Sequence, residues 1–579
     1  MALTNKLSVI FHFQKIDEVY DIYQLTTSER YITEGLYALD SPIESLKAVS
    51  LVFDRGKSAF VMFKKDSINR LDFIKTLDDS KLSIKKICAS ELKDYVLFRL
   101  FLYALANYSS DENMFNNIGG KLFMTHPYWR SKNGKNMKVL EINVGRDMQI
   151  NAKATTFSSI SVFKNGSKAL LGKPRYLLLQ NGKFRRALDA DHGKDVFVNK
   201  GLPGKKAEIP FLDLKAEALR MNRAYFINLA MDQLTKRFEP FLNVSFSCYE
   251  IKKKIGERRD MDFVEKSLDC LSNHRIYLTS RMTKGAYEDD FESLRTSLSQ
   301  ALGKDINDCS EGPQDMEIVF LHNKDYYQDL EDPYKTLSRN HVVQCVTLED
   351  SVDKIIGDSK AVINTIFKEM TIKNDILITH KISLDDWSAF GFEGDWHFGE
   401  EKDGKKYFMT IHPDGTFHCE KESGFLARYS SNVLYDLSKY LDELDLKGKN
   451  IIMDDKGNIN IISRTGTFCI PDPELFKLQT VSRSKESREH YLSGIIDINL
   501  FDENGKSFYN AGLVGSGMNT AIPKANLLYE VTVVKGSNII EPLLETMAVM
   551  FVKYNSFTVL PYPMKYLREY MKLDSGEEI

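Results

Sequence analysis

The stretch Asp332–Asp350, "DPYKTLSRNHVVQCVTLED", puts Tyr334, Lys335, Arg339 and Gln344 within eleven residues, ahead of and inside a strand-like "VVQCV" run. A ring, two cations and a strand amide suit a ligand that is flat at one end and anionic at the other, which describes a nucleotide. The surrounding pattern says where such a ligand sits. From about residue 274 the strand "RIYLTSRM" is followed by the helical "YEDDFESLRTSLSQAL" and the strand "MEIVFLH". A helical segment reaching "YKTLSR", the strand "VVQCVTL" and the helix "SKAVINTIFKEMTIKN" complete the series. Alternation of this kind predicts a mostly parallel sheet with ligands at the strand ends.

Outward from this unit the chain is a multidomain α/β protein, since its 579 residues exceed what one core holds. The N-terminal part mixes strand-like runs ("KAVSLVFD", "SAFVMFKK") with the helix "ASELKDYVLFRLFLYALANY", whose Leu92, Val96, Leu100 and Leu105 mark a buried face. The run "MKVLEINVGRDMQINAKATTFSSISVF" predicts two paired strands. The last 200 or so residues are strand-rich, with hairpin turns at "HPDGTF", "DDKGNI" and "DENGKS" and helices near 430–443 and 540–550.

Composition narrows the function classes. A formal net charge of −3 argues against a protein that coats nucleic acid over its whole surface. The basic residues are concentrated locally: between 164 and 206 eleven Lys or Arg face three Asp, in a segment of Gly-containing turns. Solvated loop tips are one reading of this segment. A phosphate-facing surface built on Lys183, Arg185, Arg186, Lys205 and Lys206 is the other. The seven cysteines are scattered with no C-x2-C pair, the pattern of reduced thiols in a cytoplasmic protein rather than of a metal site. The opening "MALTNKLSVIFHFQKIDEVYDIYQL" reads as strand and turn rather than signal peptide, and no run is apolar enough to span a membrane.

The order of the α/β unit resembles the MID domain of Argonaute proteins, which hold the 5′ phosphate of a guide strand. In that family a Tyr and a Lys on a helix, a Gln opening a "QCV"-like strand and a Lys on the next helix surround the phosphate. The resemblance implies the same roles here for Tyr334, Gln344, Asn364 and Lys368, the last two four residues apart in "NTIFK" and so on one helix face. Ile363, Phe367 and Met370 fall on the opposite side, so Lys368 is expected to point out of the core. Ser338 stands where the family has its first Lys, which leaves Lys335 or Arg339 to supply that charge. The C-terminal "YNAGLVGSGMNTAIPKANLLYEVTVVKGSNIIEPLLETMAVMFVKYNSFTVLPYPMKYLREY" is similar to the end of a PIWI domain. The glycines Gly512, Gly515 and Gly517 then belong to a hairpin region rather than a dinucleotide loop.

The resemblance implies a bilobal Argonaute-like architecture with a Rossmann-like MID domain and an RNase H-like PIWI domain. The expected boundaries are an N-terminal domain at 1–125, linker domains with the basic segment at 126–273, a MID-like domain at 274–380 and a PIWI-like domain at 381–579. About 270 residues before the MID-like unit are too few for every linker and a full PAZ domain, so PAZ is expected to be reduced or absent.

An active PIWI domain holds two metal ions between carboxylates. Here "KKYFMTIHPDG" offers Thr410 and His412 where the first acid belongs, "NIIMDDKGN" offers Asp454 or Asp455 at the second, and Arg568, with Glu569 beside it, stands near the last. No catalytic residue or metal ligand is therefore assigned, and Asp385–Asp386 in "ISLDDW" reads as a helix cap. The resemblance implies a catalytically inactive, guide-dependent binder of complementary target DNA, with a short guide that is DNA rather than RNA and no cofactor for catalysis. It leaves a place for Mg²⁺ at the guide 5′ phosphate. A non-cutting protein needs an effector, and the Argonaute-like subunits of plasmid-elimination systems work with a helicase–nuclease. Two alternatives remain: an active guide-dependent endonuclease, and a scaffold of the same fold class that binds no nucleic acid.

Overall fold

A computed structural model describes residues 1–27, 43, 46–54, 58–68, 82–108, 114–163, 174–179, 183–187, 195–200, 208–213, 221–256, 263–283, 285, 287–308, 316–327, 333, 341–357, 359–429, 446–471, 497–512, 524–548 and 559–575. They fall into two units. The first comprises Met1–Tyr249, Gly466–Ile495 and Gly515–Asn526, and the second Glu250–Thr465, Ile496–Val514 and Leu527–Ile579. Strand pairing decides where these divisions fall. Leu122 of the strand Lys121–Thr125 pairs with Ile142 of Asn136–Val144, so one sheet runs across position 125. Late in the chain, the Phe468 amide donates to the Asn5 side chain and Thr4 bridges to Cys469, which draws that segment into the first unit.

In the first unit, strands Ser50–Asp54, Ser58–Lys64, Tyr20–Thr27 and Leu82–Ile87 form a four-stranded sheet in that spatial order. The helix Asp94–Ala104 is buried along nearly its whole length. A second sheet has seven strands, running from Phe184–Arg186 through Arg175–Leu178, Val196–Asn199, Ile150–Ser159, Asn136–Val144 and Lys121–Thr125 to Met114–Ile118. Its two edge strands are linked: the Phe184 amide donates to Asn116 Oδ1 at 2.9 Å in the interior. Phe123, Met137, Val139, Phe157, Phe184 and Phe197 fill the inside.

The second unit contains the predicted parallel sheet, in the order Asn307–Asp308, Ile276–Ser280, Met316–Leu321, Val342–Thr347. Every residue of Met316–Leu321 is buried, as befits a central parallel strand covered on both faces. Leu294 and Leu298 of the helix Glu288–Leu302 pack with Ile363, Ile366, Phe367 and Met370 of the helix Lys360–Asn374 in one core. The strand-rich remainder is antiparallel wherever its pairings are described. Trp396–Lys402 lies between Lys405–Ile411 and Lys449–Asp454, while Ile498–Glu503, Lys506–Ala511 and Leu527–Lys535 form a meander. The "DENGKS" hairpin turns at Asn504 and Gly505, with φ of 51° and 76°, the pair of positive angles that a tight two-residue turn requires. Asp386 caps the short helix Trp387–Phe390 by accepting from the Ser388 amide, as its sequence context predicts.

Two buried ionisable groups set how this unit responds to acid. Asp375, fully buried, accepts from the Ser383 amide, the Thr379 hydroxyl and the Tyr566 hydroxyl, tying Lys360–Asn374 to the C-terminal helix Pro563–Ser575. Burial pushes its carboxyl up to about 6 despite these donors. His397 shares a 2.8 Å hydrogen bond with the Thr410 hydroxyl, and burial pushes its imidazole down to about 4. Between pH 6.5 and 4 the unfolded chain protonates this histidine and the folded chain does not, so His397 withdraws up to roughly 3 kcal/mol of stability as pH falls. Asp375 acts in the opposite sense over the lower part of that window. Comparing melting temperatures at pH 7 and pH 5, the His397→Gln variant should lose less on acidification than the wild type. An equal or larger loss would mean that His397 does not stay neutral in the folded protein.

Candidate functional site

The parallel strands end in a pocket of about 360 Å³ within the second unit. Asn323, Lys324 and Asp325 follow one strand, Gln344, Cys345 and Thr347 belong to the next, and Asp350 follows that one. Glu369 and Lys373 come from the helix Lys360–Asn374, and Glu569 and Lys572 from the C-terminal helix. The pocket thus sits at the carboxyl ends of parallel strands, where loops are free to shape a ligand site.

Its floor is a buried ammonium. Lys373 is 3% exposed and donates at 2.7 Å to both the Val343 carbonyl and Gln344 Oε1. With its oxygen so engaged, the Gln344 amide turns its nitrogen to Glu369 Oε2 at 3.3 Å. Burial pushes the Lys373 pKa down, and Glu569 and Glu369 push it back toward the charged form. Burial alone would raise the Glu569 pKa, but Lys565 at 2.8 Å and Lys572 at 3.1 Å bring it below the usual range. Lys565 also lies 3.9 Å from Glu369. The result is an alternating lattice of charge with a strand amide at its centre.

Of the residues singled out in the sequence, Gln344 lines this pocket. Tyr334, Lys335, Arg339, Lys205 and Lys206 lie outside the described residues. Asn364 is half-buried and does not line the pocket. Lys368 is 5% exposed, contrary to the expectation that it points out of the core, and its ammonium lies 5.4 Å from the centre of the Phe263 ring. Burial, then Lys565, lowers its pKa. Glu369 and Lys373, also four residues apart, look toward Gln344, and a local i,i+4 Glu–Lys pair was the signal available. Nothing local marks Glu569 and Lys572, which come from about 200 residues further along the chain.

Lys183, Arg185 and Arg186 line a different cleft, in the first unit. Elsewhere in the second unit, Glu400 and Asn450 are direct neighbours across two strands. The Arg568 guanidinium reaches both, at 2.7 Å and 3.5 Å. Asp454 accepts the backbone amide and side-chain nitrogen of Asn458, closing its own turn. His412 pairs with Asp395 at 2.8 Å. Among the described residues no three His, Cys, Asp or Glu side chains gather in a way that holds a metal ion. Glu369 is engaged by Gln344 and Lys565, and Glu569 by Lys565 and Lys572.

The sequence matches no protein-family model and no curated protein. The fold does have counterparts. The Argonaute of Kluyveromyces polysporus, solved with a guide RNA, aligns over 99% of this chain and 94% of its own at a TM-score of 0.50 and 10% identity. Drosophila Piwi aligns over 99% and 96% at 0.37 and 9%. The chain has an Argonaute-like, multidomain α/β fold.

Removing the Lys373 ammonium strands Gln344 Oε1, the Val343 carbonyl and part of the Glu369–Glu569 charge in the interior. Lys373→Met should destabilise the protein by about 3 kcal/mol. Lys368→Met, at an ammonium with no hydrogen bond among the described residues, should cost less than about 1 kcal/mol. Urea denaturation of the two variants measures the difference; equal losses would remove Lys373 from its central role.

Proposed function

We propose that the protein holds a short guide strand by its 5′ phosphate in the pocket beside Gln344 and uses base pairing to recognise complementary nucleic acid, without cutting it. The observation that carries this reading is the Lys373–Gln344 arrangement: a strand amide locked by a buried ammonium, with Lys324 and Lys572 on the pocket wall. A terminal phosphate approaching these groups finds lysine charge at the carboxyl ends of parallel strands, in a chain whose fold is like that of an Argonaute. Each charge-assisted contact contributes roughly 1.5–3 kcal/mol. Tyr334, Lys335 and Arg339 remain the proposed partners of the first base and its phosphate, and Lys183, Arg185, Arg186, Lys205 and Lys206 those of the backbone beyond it.

The non-cutting part of the proposal is supported by charge. Two-metal hydrolysis gathers carboxylates around divalent ions, whereas Arg568 brings a cation to Glu400 and Asn450. Action on invading DNA then falls to a recruited effector, of which a helicase–nuclease is the class we favour, with DNA as guide and target.

The test uses the full-length chain. Oligonucleotides with a 5′ phosphate should bind at least tenfold more tightly than their 5′-hydroxyl counterparts, and the double variant Lys324→Gln/Lys572→Gln should lose most of that difference. Guide-matched target should stay intact with Mg²⁺ or Mn²⁺. Sequencing of co-purified nucleic acid should return short strands. Equal affinity for both 5′ ends refutes the pocket assignment, cleavage opposite the guide refutes inactivity, and complete absence of bound nucleic acid favours the scaffold alternative.

A further inference from the structure

In the first unit, Tyr128 lies in the connection between the strands Lys121–Thr125 and Asn136–Val144, on the single 3₁₀ turn Pro127–Trp129, and is 82% exposed. A ring left in water forgoes the burial from which an aromatic side chain draws most of its stabilising effect. The ring is nevertheless held in place. His126 stacks beside it with centroids 5.2 Å apart and planes 24° from parallel, and the Tyr128 amide donates to His126 Nδ1 at 3.3 Å. The next residue anchors the turn: Trp129 is 9% exposed and meets the Phe226 ring of the helix Arg223–Phe238 edge-on at 4.9 Å. One short turn thus buries a tryptophan and, directly before it, keeps a tyrosine in water beside a second ring.

The residues that follow are basic. Arg130, Lys132, Lys135 and Lys138 are exposed, and the sequence has no Asp or Glu between Thr125 and Glu141. The acceptors they reach among the described residues are neutral oxygens: the Gly134 carbonyl for Arg130 at 3.4 Å, the Ser161 hydroxyl for Lys135 at 3.1 Å and the Glu208 carbonyl for Lys138 at 3.0 Å. Such bonds orient a cation without cancelling its charge. The loop that carries Arg130 is closed by the Ser131 amide, which donates to the Asn136 carbonyl at 2.8 Å, and by Gly134 at a φ of 70°. A basic run by itself is most simply a solvated surface. Beside a ring that is both exposed and already stacked, it has a specific chemical complement. An unpaired nucleobase adds its flat face to the stack, and its flanking phosphates meet the cations. An acidic peptide would satisfy the cations and leave the ring unused. We propose that the turn at Tyr128 is a stacking platform for an unpaired base of a single-stranded nucleic acid, with Tyr128 against the base and Arg130 and Lys132 on the adjoining phosphates. The proposal rests on the nucleic-acid reading above for its class of ligand, but its site lies in the first unit and shares no residue with the pocket beside Gln344.

Fluorescence anisotropy of the full-length chain with short single-stranded DNA tests it, each strand carrying a 5′ hydroxyl and compared with an abasic strand of the same length. Tyr128→Ala should weaken binding of the base-bearing strand about tenfold with no change in salt dependence. Tyr128→Phe should bind like the wild type, because stacking needs the ring and not the hydroxyl. The abasic strand should bind the wild type and Tyr128→Ala alike. Arg130→Gln/Lys132→Gln should reduce the slope of log affinity against log salt by about one unit. These positions are exposed, so the melting temperature of each variant should match that of the wild type. Lys324→Gln/Lys572→Gln should leave the Tyr128 effect at its full size. The platform is overturned if Tyr128→Ala binds the base-bearing strand as the wild type does, if the abasic strand suffers an equal loss, or if polyglutamate displaces the strand equally from both proteins. A Tyr128 effect without any preference for a 5′ phosphate supports the platform and tells against the pocket beside Gln344. Absence of all strand binding by the wild type overturns both.

Discussion

The second unit is organised around one ammonium that is almost wholly buried. Lys373 sits at the end of a helix whose apolar face must pack on the parallel sheet, and that packing carries its side chain into the interior. A charge there needs both hydrogen-bond acceptors and opposite charge nearby. The Val343 carbonyl and Gln344 satisfy the first need, and Glu369 and Glu569 the second. Because Glu569 lies on Pro563–Ser575, the end of the chain is bound to the sheet by electrostatics as well as by the Tyr566–Asp375 hydrogen bond. The same network orients the one strand amide that faces the pocket.

The disposition of acids bears on what a basic site can hold as much as the number of cations does. Beside Gln344 the lysines are partly neutralised by Glu369 and Glu569, so an incoming phosphate competes with carboxylates already in place. In the first unit Lys183, Arg185 and Arg186 line a separate cleft.

The strand-rich part of the second unit uses its ionisable residues to hold elements together. Arg568 joins the C-terminal helix to two adjacent strands through Glu400 and Asn450, and Asp454 closes the turn at Asn458. His397, neutral in the interior, joins two strands through Thr410. These contacts give each such residue a structural partner.

The sequence by itself determined the local features of this protein. The alternation of strand and helix from 274 to 374 was legible because a buried parallel strand must be continuously apolar and its covering helix must repeat every three to four residues. The "DENGKS" hairpin was legible because only certain residues tolerate its backbone angles, and the Asp386 cap because a carboxylate two residues ahead of an amide has few other uses. Gln344 was legible as an amide on a buried strand. What the tertiary structure alone decided is which residues Gln344 meets. Burial of Ile363, Ile366, Phe367 and Met370 sets the rotation of their helix, and that rotation turns Lys373 toward the amide and places Lys368 over Phe263. Glu569 and Lys572 reach the pocket because a helix at the far end of the chain folds back onto the sheet, and the pairing of Ser50 with Arg185 in one cleft depends likewise on two sheets meeting. Such contacts are made between residues hundreds of positions apart and leave no periodicity in the sequence, so only the packing of the finished fold specifies them.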